Sequence, residues 1–275
     1  MIKKIQNDCR KGRLTDMSKM DQIVANAKFV KNAVVELEPQ MAQGKRLWEY
    51  FHLRPTAEGV SIVSNHPRYP MSSAQVDTGE IKEKLLALEA EVLPLLTAED
   101  PSHRLGEVID SFGFRRSARD LEEAGQARQR EVHIQSSFIS GMIRGGAEYA
   151  GVNFLASELS LPESDGYPDC FDVVGYRDGT VYLFATRKGR DMVIYNELAR
   201  YREKFNANRE DYEKLLSAYP RTACRHNVTV HDVRCVAVMK YAAGTDTDWQ
   251  GLSTQNGVDT WFHETALSFR KLSGK

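Results

Sequence analysis

The stretch D-C-F-D-V-V-G-Y-R-D-G-T-V-Y-L-F-A-T-R-K, Asp169 to Lys188, decides the fold. Two apolar runs, Phe171–Tyr176 and Val181–Phe184, flank Asp178-Gly179. An Asp-Gly pair between β-rich runs predicts a two-residue hairpin, because a type I′ turn needs φ > 0 at both central positions. Such a loop dictates the pairing: Arg177 faces Thr180, Tyr176 faces Val181, Val174 faces Leu183 and Asp172 faces Ala185. Strand side chains alternate, so Asp172, Ala185 and Arg187 are expected on one face, with directly opposed Cβ atoms roughly 5 Å apart.

Outward from the hairpin, the second half of the chain alternates helix and strand. A long helical pattern runs from Ser117 to about Gly145, interrupted by Gly125, and Val152–Leu159 reads as a strand. Ser160–Pro168 is a loop. Met192–Phe205 and Arg209–Tyr219 read as helices, the second with Asn208 as its cap. Val228–Tyr241 is a strand region, and Val258–Leu272 is expected to close the fold as a helix. The order is αβββαβ. Upstream, residues 16–43, Glu80–Leu96 and Ser102–Phe112 carry helical spacing, and the proline-bearing stretch Arg54–Val76 reads as loop. Pro94 should tighten or end its helix. The expected organisation is a helical region over residues 1–115 and an α/β core over 116–275.

Composition sets limits. The 275 residues are 41% hydrophobic and 27% charged, which places the chain among ordinary globular proteins. No apolar run approaches the ~18 residues that span a bilayer, and the first residues lack an apolar signal core. The four cysteines are scattered without a C-x-x-C pair, so a reducing, cytoplasmic setting is the simplest expectation. A net charge of −1 gives no global attraction to nucleic acid, so such binding needs a local basic patch. The sequence has no P-loop, dinucleotide G-x-G-x-x-G or G-x-S-x-G motif. His52, His66, His103, His226, His231 and His263 show no metal spacing.

The hairpin resembles the core of the PD-(D/E)xK nuclease superfamily, in which an Asp on one strand and a (D/E)-x-K on the next form the site. The resemblance implies a restriction-endonuclease-like αβββαβ core and Mg²⁺- or Mn²⁺-dependent hydrolysis of DNA or RNA. Matched on Asp172, the tripeptide falls on Ala185-Thr186-Arg187: the Asp is kept, Ala185 stands at the acid and Arg187 at the Lys. A second match, through Pro168-Asp169 and Thr186-Arg187-Lys188, keeps the Lys but puts Thr at the acid. Hard cations need oxygen ligands, and Ala185 supplies none. Arg187 holds phosphate but cannot release a proton. Three explanations stand side by side: an engineered knock-out, a naturally degenerate binding-only relative, or an acid supplied from elsewhere, such as Asp169 or Glu158.

The resemblance also implies a metal-site acid on the preceding helix, where Glu131 lies, with His133 two residues on; Glu148 and Glu158 are weaker alternatives. The metal set is then Asp172, Glu131 and Asp169, with Arg187 and Lys188 at the phosphate. Arg187, Lys188, Arg190, Arg200, Arg202 and Lys204, interleaved with Tyr195 and Tyr201, form a basic cluster suited to a phosphate backbone. The competing reading is a solvated helix face balanced by Glu197 and Glu203. The other class of function is a non-catalytic scaffold that binds nucleic acid or a protein partner, with the stripe Leu85–Leu88–Val92 as an interaction or dimer surface.

Overall fold

The computed structural model describes residues 18–66, 70–96, 109–115, 126–145, 149, 151–161, 170–187, 192–220, 228–240, 248–265 and 268–271. The hairpin forms as the Asp-Gly signal predicts. Strands β5 (Phe171–Arg177) and β6 (Thr180–Thr186) pair antiparallel with Arg177 opposite Thr180, Tyr176 opposite Val181 and Val174 opposite Leu183. Asp178 and Gly179 take φ of 47° and 82°, both positive as a type I′ turn requires. The paired ladder stops at Val173–Phe184, one step short of Asp172 and Ala185.

These strands lie in a six-stranded mixed sheet ordered β4-β5-β6-β7-β8-β9, with β4 at Asn153–Leu159, β7 at Asp232–Lys240, β8 at Val258–Thr265 and β9 at Ser268–Lys271. Strands β4 to β6 form an antiparallel meander; β6, β7 and β8 run parallel; β9 returns antiparallel. Val258–Thr265 and Ser268–Lys271 are therefore strands, where a closing helix was expected. A short helix, Trp249–Asn256, ends at Gly257 in the left-handed region (φ 60°), and the chain leaves it extended. The aromatic and β-branched run T-W-F-H then pairs with β7.

Both faces of the sheet are covered, and β6 and β7 accordingly carry the apolar runs V-Y-L-F-A and C-V-A-V-M. Helix α5 (Gln126–Arg144) lies on one face, where Phe138 packs edge-on against Phe184 and Trp261. Helices α6 (Val193–Ala207) and α7 (Arg209–Ala218) cover the other, burying Ile194, Leu198, Phe205 and Tyr212 against Phe171, Leu183 and Ala237. Each fully buried side chain of this size contributes about 2–3 kcal/mol relative to exposure. Asn208 stands before α7 but makes no side-chain bond to it; its Nδ2 donates to Lys204 O, tying off the end of α6 instead.

The N-terminal half is not purely helical. It begins with α1 (Lys19–Leu37), capped by Ser18, and α2 (Gly44–Tyr50). The stretch read as loop then forms a three-stranded antiparallel sheet of β1 (Phe51–Thr56), β2 (Gly59–Ser64) and β3 (Ser73–Val76). Pro55 is tolerated because β1 is an edge strand. Helix α3 (Ile81–Ala87) continues through a π turn at Leu88–Val92 into α4 (Leu93–Leu96), with Pro94 following the π turn. Leu85, Leu88 and Val92 are fully buried in this half's own core, so the expected interaction stripe is interior.

The boundary expected at 115/116 is crossed repeatedly. Met20, Val24 and Ala27 of α1 belong to the core of the larger sheet. The buried His52 bonds Asn65 through Nδ1 (2.7 Å) and Ser157 of β4 through Nε2 (2.5 Å). Arg54 pairs with Glu158, which sits at φ 47° within β4.

Candidate functional site

Asp172 is the second residue of β5, where that strand parts from β6. Its Oδ2 accepts from the Thr186 backbone N–H (2.9 Å) and from Thr186 Oγ1 (3.3 Å). A carboxylate thus takes a place that a strand carbonyl would fill if the ladder went on. The Asp172 carbonyl accepts from Gln135 Nε2 of α5 (2.8 Å). The aspartate is braced by the next strand on one side and by a helix on the other.

Arg187 directly follows the last residue of β6. Its main chain is held twice: the N–H donates to Val238 O (2.8 Å), and the carbonyl accepts from His263 Nε2 of β8 (3.0 Å). Its guanidinium spans two carboxylates. Nη1 stands 3.5 Å from Asp172 Oδ2 and donates to Thr186 O at 2.8 Å; Nη2 pairs with Glu197 of α6. Tyr201, one turn beyond Glu197, donates to the Cys170 carbonyl (2.6 Å) and stands 3.1 Å from Glu197 Oε1. The side chains of Asp172, Arg187 and Glu197 keep 24%, 22% and 18% of their surface, so the cluster is recessed yet reachable from solvent.

Burial pushes the Asp172 carboxyl up to about 6, against the pull of Arg187 and of the Thr186 N–H, and Glu197 adds to the rise. Burial disfavours charge on Arg187, but Asp172, Glu197 and Glu131 together outweigh it and hold its pKa above the ordinary value. Burial, with the nearby Asp172 and Glu197 charges, raises Tyr201. The Cys170 thiol is raised to about 11, chiefly by burial, which keeps it a thiol at neutral pH.

The sequence-derived set is brought together in part. Asp172 and Arg187 meet, and Glu131 of α5 lies near enough for its charge to act on Arg187. Ala185 is fully buried in the apolar cluster beneath α6. Asp169, Glu148, Lys188 and Arg190 lie outside the described residues. Tyr195 and Tyr201 do not interleave an open basic surface: both are buried, bonded to Thr260 Oγ1 and Cys170 O. Arg202 donates to the carbonyls of Gly257 and Asn256. Arg200 is exposed, and Lys204 follows four residues later on the same helix face. Among the described residues no three His, Cys, Asp or Glu side chains converge as a metal centre, and no helix is long and apolar enough to cross a membrane.

Glu197 and Thr186 are the site residues that sequence reasoning missed. Glu197 reads there as a charge balancing a basic helix, and nothing local in I-Y-N-E-L-A-R says that α6 lays it over the hairpin's open end. The signal was Arg187 itself, a half-buried arginine directly after a strand, which needs anionic partners. Comparison with protein-family models, with curated proteins and with solved structures finds no match, so geometry and chemistry carry the functional reading.

Proposed function

We propose that the chain is a metal-dependent nuclease of the PD-(D/E)xK kind, acting on the phosphodiester backbone of DNA or RNA, in which Glu197 stands in for the acid absent at position 185. One observation carries the reading: Asp172, at the open end of the antiparallel hairpin, shares a single guanidinium with Glu197 from the covering helix. The order α5-β4-β5-β6-α6-α7-β7 keeps the αβββαβ succession that the resemblance implies. Two carboxylates of different elements are the hard-oxygen donors that Mg²⁺ or Mn²⁺ requires, with waters and substrate oxygens completing the shell. Such an ion, when bound, supplies charge neutralisation at phosphate and a lowered pKa for attacking water.

In this reading Asp172 and Glu197 would hold the ion, and Glu131 would add negative potential from α5. Thr186 and Gln135 hold Asp172 in place. Arg187 grips non-bridging phosphate oxygens, which its planar fork fits, and serves as no base, since it does not lose its proton. The test is cleavage of labelled DNA and RNA with Mg²⁺ and Mn²⁺ by the parent chain and by Asp172→Asn. Cleavage abolished by the substitution is the expected result. Equal activity in both proteins, or none in either, removes the reading.

A second reading is favoured by Ala185, sealed in the apolar core. A chain that lost the acid at that position can retain the sheet as a scaffold that binds nucleic acid without cutting it. Salt-dependent binding without cleavage under any metal condition selects it.

A further inference from the structure

We propose that Ser157, His52 and Asn65 form a second reactive site, a serine nucleophile with its base and its orienting group, which hydrolyses small neutral esters or thioesters. The site lies at the junction of the two sheets and is independent of the nuclease reading above.

Its hydrogen bonds define the relay. His52 Nδ1 stands 2.7 Å from Asn65 Oδ1, and Nε2 stands 2.5 Å from Ser157 Oγ. An amide oxygen only accepts, so Nδ1 carries the ring proton. Nε2 is left with its lone pair toward the Ser157 hydroxyl, which donates to it. Nucleophile, base and orienting group in that order activate a serine on unrelated folds. Asn65 is itself fixed through the main chain, where its N–H donates to the Tyr50 carbonyl at 2.6 Å.

The backbone is irregular on both sides of Ser157. The register of β4 against β5 shifts between Phe154 and Ala156, and Glu158 takes φ of 47°. A bulge re-aims the side chains beside it, and both bulges and left-handed non-glycine residues gather at functional sites. A serine that only tied two sheets together would need neither. Glu158 is held across the junction by its ion pair with Arg54.

The relay borders a half-open cleft. His52 forms part of its wall with Trp48, Phe51, Leu53, Ile143 and Phe154. Asn65 and Ser157 are buried behind it, so His52 is the member that meets the cleft. Among the described residues no charged side chain lines this wall, so the acyl group it takes is neutral. The enclosed room is about 30 Å³, well below the ~150 Å³ of a cavity that takes a benzene ring. An acetyl or other short unbranched acyl group is the size admitted. Trp48 Nε1 is buried without an acceptor, and a substrate carbonyl would supply one.

Ser157 Oγ attacks the carbonyl carbon while its proton passes to His52 Nε2. The bond from that carbon to the leaving oxygen or sulfur breaks, and the proton goes to the departing alcohol or thiol. Water, giving a proton to the same nitrogen, then attacks the acyl-serine. The free acid leaves and Ser157 takes its proton back.

The test is methanesulfonyl fluoride, a small electrophile, applied to the folded chain and located by peptide mass spectrometry. Ser157 Oγ attacks the sulfur, fluoride leaves and His52 takes the proton. One methanesulfonyl group on Ser157 is expected, with hydrolysis of p-nitrophenyl acetate lost in step. p-Nitrophenyl benzoate should turn over at least about 10-fold more slowly than the acetate. Ser157→Ala should abolish acetate hydrolysis, and His52→Gln should slow it by about 100-fold or more. Asn65→Ala should lower kcat with KM unchanged, and Asn65→Asp, which restores an oxygen to the Nδ1–H, should recover most of the loss. Absence of label from Ser157 in the folded parent overturns the proposal, and that measurement needs no variant to fold. Equal acetate hydrolysis by the parent and Ser157→Ala overturns it as well and leaves the three residues as a latch between the sheets.

Discussion

Replacing Asp172 with Asn should stabilise this protein at neutral pH and lose that advantage in acid. The carboxyl is raised from 3.8 to about 6, chiefly by burial. At about 1.4 kcal/mol per pH unit, the folded state prefers the neutral form by about 3 kcal/mol. The pull of Arg187 and of the Thr186 N–H is already inside that net figure. The side chain keeps 24% of its surface, so about 3 kcal/mol is an upper bound. The sign follows from proton counting. With the folded pKa above the unfolded one, the folded state holds more protons between about pH 4 and pH 6, and stability from this group falls as pH rises through that window. Above it the full cost of the buried charge is present.

Asparagine keeps an oxygen for the Thr186 N–H and mimics the neutral carboxyl. Urea unfolding of both proteins at about pH 7.5 and about pH 4 measures the difference directly. The expected result is Asp172→Asn more stable by 1–3 kcal/mol at the higher pH, in round terms "about 2", with the gap closed at the lower one. A variant that is less stable at about pH 7.5 and recovers in acid refutes the reasoning. It would mean that the Arg187 pair outweighs burial and that Asp172 serves the fold. A charge that costs stability at neutral pH is instead what the proposed role of Asp172 implies.

Four further outcomes are expected. Ala185→Glu, the direct repair of the motif, should cost about 3 kcal/mol or more in thermal or urea unfolding without creating Mn²⁺ affinity, because position 185 is sealed in the apolar core. Gly175→Ala should destabilise by about 1–3 kcal/mol, since its new Cβ meets Val152 Cγ1 at 2.6 Å and Met142 Cε at 2.9 Å; an unchanged urea midpoint would contradict this. His52→Phe strands Asn65 and Ser157 at the junction of the two sheets, and a loss of about 1–3 kcal/mol should appear in the unfolding midpoint. Charge reversal at Arg200 and Lys204 together should weaken duplex binding and flatten its salt dependence; a binding isotherm unaffected by the double change places the nucleic acid elsewhere.

The hairpin was legible because its determinants are local. Two apolar runs and an Asp-Gly pair specify turn type and register within a dozen residues, and the observed pairing follows them. The helices α5, α6 and α7 were legible for the same reason, each carrying a 3.6-residue stripe. The misreadings fall where local signals conflict with context. Strands β1 to β3 sit in a proline-bearing stretch whose edge position excuses Pro55. Strands β8 and β9 carry apolar residues that fit either period until β7 offers backbone partners. Leu85, Leu88 and Val92 show an apolar stripe faithfully, but a stripe does not say whether its cover is the chain's own core or another molecule.

By itself, then, the order of residues determined the hairpin, its register from Arg177–Thr180 to Val174–Leu183 and most of the helices, because each depends on interactions within a few residues. Only the tertiary structure decided that Ala185 is interior, that Glu197 overhangs the strand ends and that Arg187 bridges it to Asp172. The physical reason is range. Backbone geometry and periodicity act along the chain, while the charge environment of a buried carboxylate is set by whichever elements the fold stacks around it.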